Sequence, residues 1–93
     1  METQAYFIKT DGELIPVSPK NKVDFSLEEL QSFVGGLVEF IYLKDGRIMV
    51  VNEEGKINDL EVNKNASILY IQSNSQIEMI VGDVLVTPSN LIK

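Results

Sequence analysis

The sequence contains no cysteine and no histidine among its 93 residues. Without cysteine there are no disulfides, thiolate nucleophiles, zinc–thiolate sites or iron–sulfur ligands. Without histidine the usual general base at neutral pH and the commonest metal ligand are gone. Chemistry would fall to carboxylates, hydroxyls, lysine, arginine and tyrosine, which disfavours most enzyme classes. The expectation is a non-enzymatic protein with no cofactor. Positive charge is also scarce, with 8 basic residues against 14 acidic ones and a net charge of −6. Such a chain lacks the basic face that displaces counterions from nucleic acid or meets an anionic membrane. Basic partners remain open to it, and the plain effect of the charge is solubility. No apolar run approaches the roughly 18–20 residues of a membrane span. Met1-Glu2-Thr3-Gln4 has no basic region followed by an apolar stretch, so no signal peptide is expected. With the missing cysteines, this points to the cytoplasm.

What is present suits a single α+β domain over residues 1–93, with 44% hydrophobic residues and a thin core. Its radius of gyration should be about 12 Å. Ala5–Lys9 and Glu13–Val17 flank Asp11-Gly12, a two-residue hairpin signal, and Pro16 places its strand at a sheet edge. Ser26 with Glu29 three residues on predicts a helix N-terminus with a capping box, and Phe25 with Leu30 a hydrophobic staple. That helix spans 26–34, puts Leu27, Leu30 and Val34 on one face, and ends at Gly35 in the left-handed conformation. Glu28 and Glu29 read as favouring the positive end of the helix rather than as a catalytic pair.

Leu37–Leu43 and Arg47–Val51 predict a second hairpin about Asp45-Gly46. A two-residue turn would pair Leu43 with Ile48, Ile41 with Val50 and Glu39 with Asn52. Both strands are apolar at nearly every position, which predicts central strands covered on both faces. Glu39 then stands out, because a carboxylate in an apolar strand is costly unless it is wet or paired. Asn52-Glu53-Glu54-Gly55 reads as a turn with Gly55 at positive φ. A second, short helix over 65–71, capped by Asn65, is favoured over a strand there. Ile77–Val86 reads as one bulged strand rather than a hairpin about Gly82-Asp83, and Thr87-Pro88 ends it. The order β-β-α-β-β-(α)-β predicts a mostly antiparallel curved sheet or partly open barrel, with the main helix packed on one side.

Four stretches resemble a small-protein family of bacteriophages and mobile elements catalogued as domain of unknown function 3846. They are Phe25–Gln31, Val34-Gly35-Gly36-Leu37-Val38-Glu39, Asn52-Glu53-Glu54-Gly55-Lys56 with Leu60, Asn63 and Ala66, and Ile80-Val81-Gly82-Asp83. The resemblance covers roughly Phe25–Val86 and implies an accessory protein acting in host cytoplasm. It carries no established activity. The residues matching its polar motif are Glu39, Asn52, Glu53, Glu54, Gly55, Lys56 and Asn63. They read either as what turns need or as a rim that could hold a small polar ligand or a basic peptide.

Asn52, Glu53, Glu54 and Asp59 could offer oxygens to a cation, but their spacing fits no standard loop and no metal is expected. The resulting expectation is a module that binds a host protein and interferes with it, in defence or replication. The alternative is a binder that sequesters a nucleotide-type small molecule at the 39/52–56 rim. An enzyme would have to use Glu39 or Glu53 as base. No direct nucleic-acid or membrane contact is expected, while exposed strand edges invite a homodimer.

Overall fold

The computed structural model describes residues 4–92. Its named strands are β1 (Ala5–Ile8), β2 (Leu14–Val17), β3 (Val38–Tyr42), β4 (Arg47–Asn52) and β5 (Val84–Pro88). The helices are α1 (Leu27–Val34) and α2 (Lys64–Asn74), and a 3-10 turn follows at Ser89–Leu91. The strands form one open antiparallel sheet in the order β2-β1-β5-β4-β3. The expected α+β architecture and element order therefore hold, and the sheet is not closed into a barrel. The radius of gyration over Cα atoms is 12.2 Å.

The helices cover opposite faces. Ile48 and Val50 of β4 pack with Phe25, Leu30 and Val34 on the α1 side. Met49 and Val51 pack with Ala66, Ile80, Val84 and Val86 on the α2 side. This is the alternation of a strand sandwiched between two layers. β4 is thus buried on both faces, as its composition implies. β3 is not central: it is the sheet edge, with Glu39 and Tyr42 exposed. An all-apolar strand reports which faces are covered, whereas strand neighbours are made by backbone groups that every residue carries.

The second hairpin is shifted by one residue from the expected register. Tyr42 pairs with Ile48, Ile41 with Met49, Phe40 with Val50 and Glu39 with Val51. The cause is the turn. Gly46 (φ 95°) donates to the Leu43 carbonyl and Leu43 donates to that of Arg47, which makes a three-residue loop with a bulge at the glycine. The first hairpin uses the same device at Gly12 (φ 98°), with Lys9 donating to Glu13. Pro16 lies on the edge strand β2, as expected.

Helix α1 matches its sequence signals. Ser26 Oγ accepts from Glu29 N at 3.1 Å, Glu29 Oε1 accepts from Ser26 N at 2.9 Å, and Gly35 ends the helix in the left-handed region. Leu30 and Val34 are buried but Leu27 is exposed, so the apolar face is narrower than its spacing suggests. Helix α2 exists but is longer than 65–71, and Asn63 caps it rather than Asn65. Residues 77–83 are not a strand apart from an isolated bridge between Val62 and Val81. The backbone at Ile80 is taken by the start of α2: its carbonyl accepts from Asn63 N at 2.8 Å, and its N–H donates to Ser67 Oγ at 2.8 Å. The final strand begins only at Val84 and runs through Thr87 and Pro88.

Candidate functional site

A cleft of about 330 Å³ opens on the α2 side of the sheet, beside the β3 edge. Glu39 and Ile41 enter it from β3, and Val51 and Asn52 from the end of β4. The following loop adds Glu53, Lys56 and Ile57, helix α2 adds Tyr70, and the stretch before β5 adds Glu78, Met79, Ile80 and Val81. The loop holds its own shape. Asn58 N donates to the Glu54 carbonyl at 2.9 Å and Leu60 N to that of Gly55 at 2.9 Å, while Glu53 N reaches back to the Leu37 carbonyl at 2.8 Å.

Four of the seven residues picked from the sequence line the cleft: Glu39, Asn52, Glu53 and Lys56. Asn52 is half spent on architecture. Its Nδ2 donates to the Val34 carbonyl at 3.1 Å, which ties the end of α1 to the loop, and its Oδ1 accepts from Glu54 N at 2.8 Å. Glu54 is exposed and lies outside the lining. Gly55 is buried and does not adopt positive φ. Its reason is space, since a Cβ there would stand 2.9 Å from Val81 Cγ2 and 3.3 Å from the Asn52 carbonyl oxygen.

Asn63 is fully buried and takes no part in the cleft. Its Nδ2 donates to the carbonyls of Ile8 (3.0 Å) and Gly82 (2.9 Å), and its Oδ1 accepts from Ala66 N at 3.1 Å. One side chain thereby caps α2 and ties it to β1 and to the turn before β5.

Among the lining residues that sequence reasoning missed are Ile41, Ile57, Tyr70, Glu78 and Met79. Glu78 carried a signal, a lone carboxylate in the apolar stretch Ile77–Val81, but its partner lies 22 positions earlier: Lys56 Nζ pairs with Glu78 Oε1. Hydrogen bonding and charge from that ammonium hold the Glu78 carboxyl below its ordinary range. Tyr70 Oη donates to Gln76 Oε1 at 3.0 Å. Ile57 and Met79 are 82% and 59% exposed at the rim. The cleft therefore offers three carboxylates, one ammonium that is already paired, and apolar walls. Among the described residues no group of three Asp or Glu side chains is placed to hold a metal ion.

A second hollow, about 810 Å³, lies on the α1 side between Phe7, Val17, Lys20, Glu28, Glu29 and Phe33. Glu29 is engaged there by Ser26 N and by Lys20 N at 3.0 Å, so its carboxylate is occupied by the helix cap.

A family model described as a domain of unknown function (DUF3846) matches residues 7–90, and the chain belongs to that family. The match extends beyond Phe25–Val86 at both ends and takes in the first hairpin from Phe7. No curated protein and no solved structure shows a significant match to the chain.

Proposed function

We propose that this member of the DUF3846 family is a non-enzymatic binding module whose cleft grips a basic segment of another protein and so interferes with it. The observation that carries this reading is the charge of the cleft. Glu39, Glu53 and Glu78 line the cleft with a single ammonium, Lys56, which Glu78 already neutralises. Such a site steers a lysine or arginine toward it. The exposed Ile57 and Met79 offer apolar surface to the stem of that side chain. The same inventory counts against a nucleotide-type ligand, whose phosphates need cations. Arg47 is the only arginine in the sequence, and Asp45 Oδ2 engages it at 2.7 Å outside the cleft lining. The setting, an accessory protein of a phage or mobile element acting on a host protein in host cytoplasm, rests on the resemblance and on the absence of cysteine. Interference with defence or replication belongs to that setting.

The test compares labelled lysine-rich peptides with a nucleotide panel by fluorescence anisotropy and thermal melting. The peptides should bind, with affinity that falls as salt rises. Glu39→Lys combined with Glu53→Lys should abolish binding, and Lys56→Ala should tighten it. A ligand present at about 100 times its Kd raises stability by about 2.7 kcal/mol. A melting shift of that size with a nucleotide, and none with the peptides, would overturn the proposal.

A further inference from the structure

The two edges of the sheet are unlike. At β2 the ladder closes with Lys9 donating to Glu13, so in the alternation of an antiparallel pair Leu14 and Pro16 face outward. Pro16 has no N–H to offer, which blunts that edge against a further strand. At β3, Leu43 N donates to Arg47 O and Glu53 N to Leu37 O, which sets Leu37, Glu39, Ile41 and Leu43 as the inward-bonded residues. The backbone groups of Val38, Phe40 and Tyr42 therefore point away from the sheet. The Tyr42 carbonyl is taken by Asn74 Nδ2 at 3.2 Å, a contact that a side chain can make only from outside the ladder. For the outward N–H and C=O groups of Val38 and Phe40 no partner is present among the described residues. This open stretch borders the acidic cleft, with Glu39 and Ile41 forming its wall.

Resting on the reading of the cleft as a site for a basic segment, we infer that the segment binds extended along the β3 edge and adds to the sheet as a further strand. Backbone pairing with Val38 and Phe40 supplies affinity, and side chains on alternating faces supply selectivity. The residue opposite Glu39 falls on the cleft face, with Cβ atoms about 4.5–5.5 Å apart, and there a lysine or arginine meets the carboxylate. Its two neighbours fall on the other face beside the half-buried Val38 and Phe40 and are apolar. The selected sequence thus alternates basic and apolar residues. A second copy of this chain is the poorer occupant. Each copy carries −6, and pairing β3 with β3 puts two Glu39 side chains on one face.

The probe is a labelled peptide of alternating valine and lysine, with two derivatives N-methylated at one or the other set of alternate amides. The parent should bind and protect the Val38 and Phe40 amides from hydrogen exchange. Methylating the set that faces β3 should weaken binding at least about ten-fold, and methylating the other set should leave it unchanged. Val38→Pro, which gives β3 the device Pro16 gives β2, should weaken the parent about ten-fold. Because the methylated peptides leave the protein untouched, the result stands even if that variant folds poorly. Glu39→Lys should weaken binding about five-fold. If the two methylated peptides bind alike while Glu39→Lys still weakens both, strand addition is refuted and the acidic cleft survives. If the parent does not bind, both readings fall. Sedimentation showing a dimer joined through β3, which the peptide merely dissociates, would overturn the choice of occupant.

Discussion

Alanine at position 63 should loosen the junction of β1, α2 and the turn before β5 together. Asn63 is fully buried and makes three side-chain hydrogen bonds, two donated to the Ile8 and Gly82 carbonyls and one accepted from Ala66 N. Loss of the helix cap costs about 1 kcal/mol. Each carbonyl left buried without that donor costs about 1–3 kcal/mol. The sum, about 3–7 kcal/mol, is a large part of the roughly 5–15 kcal/mol that holds a domain folded. In a domain of this size, each kcal/mol lowers Tm by about 4–8 °C. Urea unfolding followed by circular dichroism should show a lower midpoint at an unchanged slope. Asn63→Asp keeps the capping oxygen but loses both donated bonds, and should recover no more than about 1 kcal/mol of the loss. A loss below about 1 kcal/mol for Asn63→Ala would refute this accounting and reopen a binding role for the residue.

Ser26→Ala removes one half of the capping box and should cost about 1 kcal/mol, read as a fall in Tm. Gly55→Ala pushes a methyl to 2.9 Å from Val81 Cγ2 and should cost about 1–3 kcal/mol by overpacking; a neutral outcome in the same melt would mean that Val81 moves aside freely. The pH dependence has a definite sign. The Glu29 carboxyl is held below its ordinary value by the N–H groups of Ser26 and Lys20, and that of Asp45 by the side chain and N–H of Arg47. Folded-state values below the unfolded ones give stability that is present above the ordinary carboxyl range and lost as pH falls through the folded value. Glu29→Gln and Asp45→Asn should therefore flatten the acid side of a plot of Tm against pH.

Part of the site could be read locally. Glu39 and the Asn52–Lys56 string stood out as polar residues bordering apolar strands, and four of them do meet in one cleft. Glu78, Met79 and Tyr70 could not be assigned to it, because the chain between Lys56 and Glu78 had first to be folded around α2. The place of Asn63 is hidden locally for the same reason: an asparagine before a helix has the same local signature whether it caps quietly or also bonds β1, 55 positions away.

The order of elements, the start and end of α1 and the edge position of β2 are legible in the residues alone. Each follows from residues within a few positions of one another: a capping serine and glutamate, a terminating glycine, a proline without an N–H. The insertion of β5 between β1 and β4, the exposure of the β3 edge and the assembly of the acidic cleft arise only when the chain is folded. Strand neighbours are chosen by backbone hydrogen bonds, which are the same for nearly every residue, and by long-range burial, which side-chain periodicity along one strand does not record.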